Sequence, residues 1–461
     1  MTLTTATLPR IDGFTGAVFA PGDAGYDEAR AIFNGSIDRH PALIAQARDA
    51  DDVVAALRHA RAHALPVAVR AGGHSGAGFG LVDQGLVIDV RPIDHVEVDP
   101  ERRVARCGAG VLWAQLDAAT QAHGLAVTGG RDSTTGVAGL TLGSGSGWLE
   151  RRYGLTADSL LGATVVTADG AVVHADAHEH PDLFWALRGG GGNFGVVCEF
   201  EFALHPVGPQ IVGGFLIFEG ARAAEVLAAY RDLMAVAPDE LGGCAVLQLA
   251  PPAPFVPAAL VGTPVLTLTV AAFAEPERAH RLVEPLRALG PAVDTVGPME
   301  YVALQSMLDP GHPHGVRNRW DAMFLDELPA PAVEAAVAAG AAIPSPLTVI
   351  LLQPLGGAYA RVPEGETALA HRDAAWAVHA LSLWTDPADD EANLAWTAQT
   401  LAGLRPYGHG AAHPNYVSDD RQERVRSFYG DETYERLVAV KDRWDPENVF
   451  SSNQNIRPSG R

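Results

Sequence analysis

The sequence predicts an α+β fold with two unlike parts, and three observations carry that prediction. Up to about residue 206, short strand-like runs and helices alternate around three glycine-dense stretches. From Val207 the texture changes to longer apolar runs, "LTLTVAAFA", "LTVILLQPLGGAYARV" and "AWAVHALSLWTD", separated by Ala-rich helical stretches such as "PAPAVEAAVAAGAA". A charged helical stretch, "ERVRSFYGDETYERLVAVKDRW", then stops at Asp445-Pro446, because the residue before a proline is pushed out of the helical region.

Taken in order, "DADDVVAALRHARAHAL" reads as a helix with aspartates at its start and Arg/His near its end, the arrangement a helix dipole favours. "PVAVR" and "GLVIDV" read as strands, and the first glycine stretch, "AGGHSGAGFG", joins them. A strand in "RRVARCGAG" precedes a helix from about Leu112 to His123. The second glycine stretch, "TGGRDSTTGVAGLTLGSGSGWLERRYGL", follows, and "LLGATVVTADGAVVHAD" reads as a strand pair across an Ala-Asp-Gly turn. "DLFWALRGGGGNFGVVCEFEFAL" reads as a short helix, a third glycine loop and an alternating strand.

Bulk properties bound the function. A 461-residue chain, 48% hydrophobic, has material for two or more domains. Its formal charge of −22 argues against a nucleic-acid or anionic-membrane partner, since both demand a basic face. Cys107, Cys198 and Cys244 lack any paired spacing, which points to buried thiols in a reducing compartment. No apolar run approaches the ~20 residues of a membrane span, and "MTLTTATLPR" lacks the charged and apolar regions of a signal peptide. A cytoplasmic location is expected.

Two motifs invite misreading. Gly190, Gly192 and Gly195 in "GGGGNFG" satisfy G-x-G-x-x-G, but a helix leads in and a strand leads out, the reverse of a dinucleotide fingerprint. The histidines of "HADAHEH" (His174, His178, His180) and "GHPHG" (His312, His314) lack the helical spacing or cysteine partners of a metal site. Both read as solvated loops, and no metal is expected. Three glycine-dense stretches in one half instead allow backbone to approach a large ligand at several points. That is the requirement of an extended dinucleotide outside the Rossmann fold.

"PVAVRAGGHSGAG", "STTGVAGLTLGSGSGWLERRYGL", "DLFWALRGGGGNFGVV" and "DRWDPENVFSSNQNI", in this order, resemble the FAD-linked oxidases of the vanillyl-alcohol oxidase / p-cresol methylhydroxylase superfamily, berberine-bridge-enzyme-like branch. The resemblance runs from about His40 to Pro458. It implies a two-subdomain, PCMH-type FAD-binding domain over residues 1–209. An antiparallel substrate-binding domain over 210–410 and a C-terminal segment, 411–461, returning to the FAD domain complete the arrangement.

The resemblance also implies roles. His74 would be joined covalently to the flavin, with Arg70, Ala71, Gly72, Gly73 and Ser75 as the cradle; Ser133, Gly136, Gly139, Gly143, Val197 and Asn453 would be further cofactor contacts. Asp132 stands where many relatives carry a cysteine that makes a second link, so one link is expected. Asp132, which follows Arg131, reads either as a local turn residue or ion-paired structural carboxylate, or as a charge beside the flavin. The family oxidises a C–H bond next to an alcohol or amine, a base taking the proton and O₂ becoming H₂O₂. A flavin dehydrogenase with another acceptor, or a ligand-binding flavoprotein without turnover, are the alternatives.

The family's Y-x-N-Y run is "HPNY" here, retaining Asn415 and Tyr416 and replacing the first tyrosine by His413. Tyr416 is the candidate base, His413 its competitor and Asp132 the third. Gln353 is read as a substrate contact, and Trp320, Phe324, Trp376 and Trp384 as an apolar pocket or core. A small-molecule substrate, O₂ and a monomer or homodimer complete the expectation.

Overall fold

Helix Ala50–Ala62 shows how local chemistry sets the first half of the fold. Asp49 caps it by accepting the N–H of Asp52 at 2.9 Å, and His59 and Arg61 occupy its last turn. Its apolar face packs against strands of two small sheets at once. The first has the order Ala17–Phe19, Leu43–Gln46, Leu86–Asp89, Val67–Arg70, with the last three strands parallel. The second is antiparallel and runs Val96–Asp99, Val104–Gly108, Val196–Ala203, Leu160–Val166, Val172–Asp176. These facts come from a computed structural model that describes residues 10–408, 410–418 and 421–460; the stretch Met1–Pro9, read above for targeting signals, lies outside them.

Residues 210–384 build one larger antiparallel sheet. From one edge its strands are Val293–Asp294, Gln210–Glu219, Pro264–Ala272, Leu241–Leu249, Val349–Pro354, Trp376–Trp384 and Arg317–Leu325, with Gly297–Glu300 also pairing to the second. Strand alternation splits its side chains between two faces. Leu247, Ile350 and Val378 join one buried cluster with Val226, Val283, Ala332 and Trp396 from four covering helices. Leu351, His379 and Leu381 turn to the opposite face, towards the first half of the chain. The structure is thus α+β, with its large antiparallel sheet covered by helices on one side.

The last helix, Gln422–Trp444, packs into the first half's core through Val425, Phe428, Leu437 and Val440. Gly430, at φ 67°, interrupts it, so it is two helical pieces. Lys441 is fully buried and donates to Asp445 at 2.7 Å, to the Asn193 carbonyl at 2.7 Å and to the Phe450 carbonyl at 3.0 Å. Asp445 in turn accepts the N–H groups of Val449 and Phe450, fixing the turn after the helix.

Two elements differ from their sequence reading. The helix read from Leu112 to His123 spans Trp113–Gln121. The run read as one strand from Leu347 ends at Pro354, and a short helix Ala358–Arg361 follows; the glycine pair 356–357, both at positive φ, forces the break. Of the four aromatics read as pocket or core, Trp320 lines the cleft described below, while Trp376 lies under the covering helices, Phe324 packs with Tyr359 and Leu155, and Trp384 donates to Asp390 at 2.6 Å. Cys107, Cys198 and Cys244 are buried and free, as read.

Removing one member of a buried ion pair leaves a charge uncompensated, at a cost of about 3–5 kcal/mol. Lys441→Met is therefore expected to lose that much stability in equilibrium urea unfolding. A loss under about 1 kcal/mol would contradict this account of the C-terminal anchor.

Candidate functional site

Between the first half and the free face of the large sheet lies a cleft, partly open to solvent. Its walls come from all three glycine stretches, the C-terminal residues 450–454, the segment 414–418 and the sheet residues Trp320, Leu351, His379 and Leu381.

The first glycine loop carries its polar groups in a particular way. Asn34 donates to the Gly76 carbonyl at 2.7 Å, the Phe33 N–H to the Gly73 carbonyl, and Arg39 to the Gly78 and Leu81 carbonyls. The N–H groups of Gly72 to Gly76 have no acceptor among the described residues, and these five residues line the cleft. A row of unpaired N–H groups is an anion-binding surface. Gly72 and Gly136 touch: a Cβ on Gly72 would lie 2.4 Å from the Gly136 nitrogen, and one on Gly136 2.5 Å from the Gly72 nitrogen. Gly139 and Gly192 border the cleft, and a Cβ on either would enter open space. This cradle fits a dinucleotide diphosphate.

The other predicted cofactor contacts divide. Ala71, Ser75, Gly143, Val197 and Asn453 line the cleft. Asn453 donates to the Gly192 carbonyl at 3.1 Å, and its buried Oδ1 has no partner among the described residues. Arg70 also borders the cleft, but its guanidinium donates to the carbonyls of Ala29 and Ala31. It braces that turn, and burial, with Arg91 adding and Asp89 opposing, pushes its pKa down to about 10. Ser133 lies outside the lining: its N–H and hydroxyl donate to Asp309 at 2.9 and 2.5 Å.

His74 stacks on Phe33 with centroids 4.3 Å apart, and its Nε2 lies 2.9 Å from the Thr134 hydroxyl. Burial pushes its pKa down to about 4, against the pull of Asp132 and helped by His314 and His312. The imidazole is therefore neutral, with a lone pair available. Beside it, Asp132 accepts from His312 Nδ1 at 2.7 Å, both side chains being nearly buried. Burial alone would raise the carboxyl's pKa, but His312, His74 and Arg131 hold it below its usual value, and Asp132 and Asp309 raise that of His312 against burial.

The reading of "GHPHG" as a solvated loop is thereby corrected for His312, which lines the cleft and forms a salt bridge; His314 is exposed but meets the His74 ring edge-on. Asp132 pairs with this histidine, on a loop 180 residues away in sequence, and forms no hydrogen bond to Arg131.

Tyr416 lines the cleft between Trp320, 6.3 Å away and nearly parallel, and His379, edge-on at 4.2 Å. Burial raises its pKa, and Arg131, which opposes this, does not cancel it. Arg131 belongs to a buried network: it donates to Ser146 at 3.2 Å, to the Gly147 carbonyl at 3.1 Å and to Glu150 at 3.3 Å. Ser146 donates to Glu150 at 2.6 Å, and Gln353 donates to both Ser146 and Glu150. Gln353 is fully buried in that network and does not line the cleft, contrary to its reading as a substrate contact. His413 does not line it either. Its ring packs against Phe324 and Tyr359, and burial, with Arg372 and Arg131, pushes its pKa down to about 3.

Glu150, Ser146, His312 and His379 were missed as site residues, and Arg131 was noticed only as a neighbour. One had a local signal: His379 interrupts an apolar run, "AWAVHALSLW", whereas Glu150 sits beside Arg151 and Arg152 in a charged stretch. The Asp132–His312 pair had none, because only the fold brings its members together.

Fold and cleft define a flavoprotein of the FAD-linked oxidoreductase class. Residues 41–176 match the family described as FAD binding domain, and residues 412–457 match the one described as berberine and berberine like. (R)-6-hydroxynicotine oxidase of Paenarthrobacter nicotinovorans is 33% identical over 96% of this chain and 97% of that protein. Glucooligosaccharide oxidase of Sarocladium strictum is 26% identical over 94% and 91%. The crystal structure of 6-hydroxy-D-nicotine oxidase from Arthrobacter nicotinovorans superposes with a TM-score of 0.86 at 30% identity, covering 99% of this chain and 100% of that one. This chain belongs to the berberine-bridge-enzyme-like family of FAD-dependent oxidoreductases. Among the described residues no helix is long and apolar enough to cross a membrane.

The open space at Gly139 and the crowding at Gly72 separate two effects. Gly139→Leu is expected to keep the melting temperature of the cofactor-free protein while losing flavin, read from the ratio of 450 to 280 nm absorbance. Gly72→Ala is expected to lose both, since its methyl meets backbone.

Proposed function

We propose that this protein is an FAD-dependent oxidase that dehydrogenates a C–H bond next to an alcohol or amine of a small organic substrate. The observation that carries the reading is convergence: the N–H row, neutral His74 and Tyr416 border one cleft. Bound FAD supplies the hydride acceptor, and O₂ the terminal oxidant, reduced to H₂O₂. Residues 1–209 with 411–461 form the FAD-binding part and 210–410 the substrate part; release of an independently folded 411–461 fragment by limited proteolysis would contradict that division.

His74 is the single covalent tether. With Nε2 engaged by Thr134, Nδ1 is the nitrogen left for attachment. Asp132 cannot make the thioether that a cysteine would. Tyr416, once ionised to the phenolate, accepts the substrate proton, and Arg131 stabilises that phenolate. A second reading rests on the Asp132–His312 pair: Asp132 fixes the ring through Nδ1, leaving Nε2 to take the proton.

Four variants test these roles. Denatured wild-type protein is expected to keep its yellow fluorescence on a gel, His74→Ala to lose it, and substitution of all three cysteines to leave it unchanged. Tyr416→Phe should slow anaerobic flavin reduction by ~10²–10⁴-fold, the usual worth of a general base. Because burial holds the phenol's pKa above its usual value, its protonated form dominates at neutral pH. The wild-type rate should therefore rise towards alkaline pH, and the mutant should lack that rise. Persistence of the rise in Tyr416→Phe with its loss in His312→Asn would transfer the role to the histidine.

A further inference from the structure

Where the large sheet's free face lines the cleft, it holds two buried polar side chains that make no hydrogen bond among the described residues. His379 is 1% exposed, and neither ring nitrogen has a hydrogen-bond partner among the described residues; the same holds for the indole N–H of Trp320, 7% exposed. Both residues line the cleft. Register places them on one face, with Ala322 opposite His379 and Trp320 two residues before Ala322. An unpaired buried polar group costs about 1–3 kcal/mol. A protein retains two together, flanking the same tyrosine, where a ligand completes them.

The surroundings define that ligand. Burial, with His413 and Arg131, holds the His379 pKa well below its usual value, so the ring is neutral, donating from one nitrogen and accepting at the other. Leu351, Leu381 and Leu308 make the adjoining wall apolar. The charged groups on this side, Arg131 with Glu150 and Asp132 with His312, are already paired. An ammonium or carboxylate would therefore enter without a free counter-charge, and a polyol would press most of its hydroxyls against leucine. The indole of Trp320 and the ring of Tyr416, 19° apart in plane, present aromatic surface to a flat molecule.

We propose that His379, assisted by the indole N–H of Trp320, is the specificity determinant of the cleft, binding a neutral hydroxyl or carbonyl carried by an otherwise apolar, planar substrate. This rests on the reading of the cleft as the oxidase's substrate site.

The test uses purified holoenzyme and reads binding from perturbation of the flavin absorption spectrum. The probes are 1-indanone, indane, benzylammonium and cellobiose. Wild type is expected to bind 1-indanone roughly tenfold or more tighter than indane, the worth of a neutral hydrogen bond, and to bind the cation and the sugar weakest. His379→Leu should abolish the preference for the ketone, His379→Gln should restore part of it, and Trp320→Phe should reduce it. Trp320→Phe and His379→Gln keep the test decisive if the leucine variant fails to fold.

Four outcomes would overturn the proposal. They are failure of 1-indanone to bind wild type, an unchanged preference in both His379→Leu and Trp320→Phe, cellobiose binding as tightly as the ketone, or a shifted flavin spectrum in ligand-free His379→Leu. The last would make the cofactor the imidazole's partner. Because binding is read without turnover, a preference that holds while no related alcohol is oxidised would sink the oxidase reading and leave this one standing.

Discussion

The contact between Gly72 and Gly136 governs the rest of the site. Two loops more than sixty residues apart meet backbone to backbone, with no space for even a methyl group at either position. That approach places His74 within reach of Thr134 and brings Asp132 beside it. The third glycine loop is tied in by Asn453 and by Asn193, which donates to the Gln454 carbonyl. Glycine recurs in the cradle because its work is done by N–H groups, and a Cβ at Gly72, Gly136, Gly139 or Gly192 would stand where backbone or ligand must be.

Charge in the cleft is arranged by pairing before any ligand arrives. Arg131 with Glu150 and Asp132 with His312 are each held by further partners: Ser146 and Gln353 on the first, and on the second the neighbouring Ser133–Asp309 clasp. Burying unpaired charges would cost several kcal/mol each, so these contacts keep ionised groups tolerable next to an apolar wall. The consequence is a cleft in which histidines differ sharply. His312 is drawn towards protonation by its carboxylate, while His74, His379 and His413 are kept neutral by burial.

Much of the fold was legible because its signals are local. The capped helix at Asp49, the Ala-Asp-Gly turn and the Asp445-Pro446 stop each depend on residues within a few positions. The glycine loops were legible as a cradle because glycine density has few other uses. What escaped was long-range. His312 reads as a loop histidine until the fold carries Asp132 to it, and Gln353 lies on the predicted face of its strand, yet Glu150 and Ser146 take its amide. The motif containing His413 and Tyr416 falls beside the cleft, but spacing alone could not say that one ring borders it and the other faces the core.

The return of the chain's last segment to the first half orders events in time. Gly72 and Asn453 border the same cleft from positions nearly four hundred residues apart, and Tyr416 joins them from the same late stretch. A ribosome exposes the three glycine loops long before it releases these residues, so a nascent chain has the cradle without its closing wall. The finished setting for the cofactor therefore exists only once the late segment has joined the early loops. The large sheet and its helices are made in between, and the slow, non-local closure comes last.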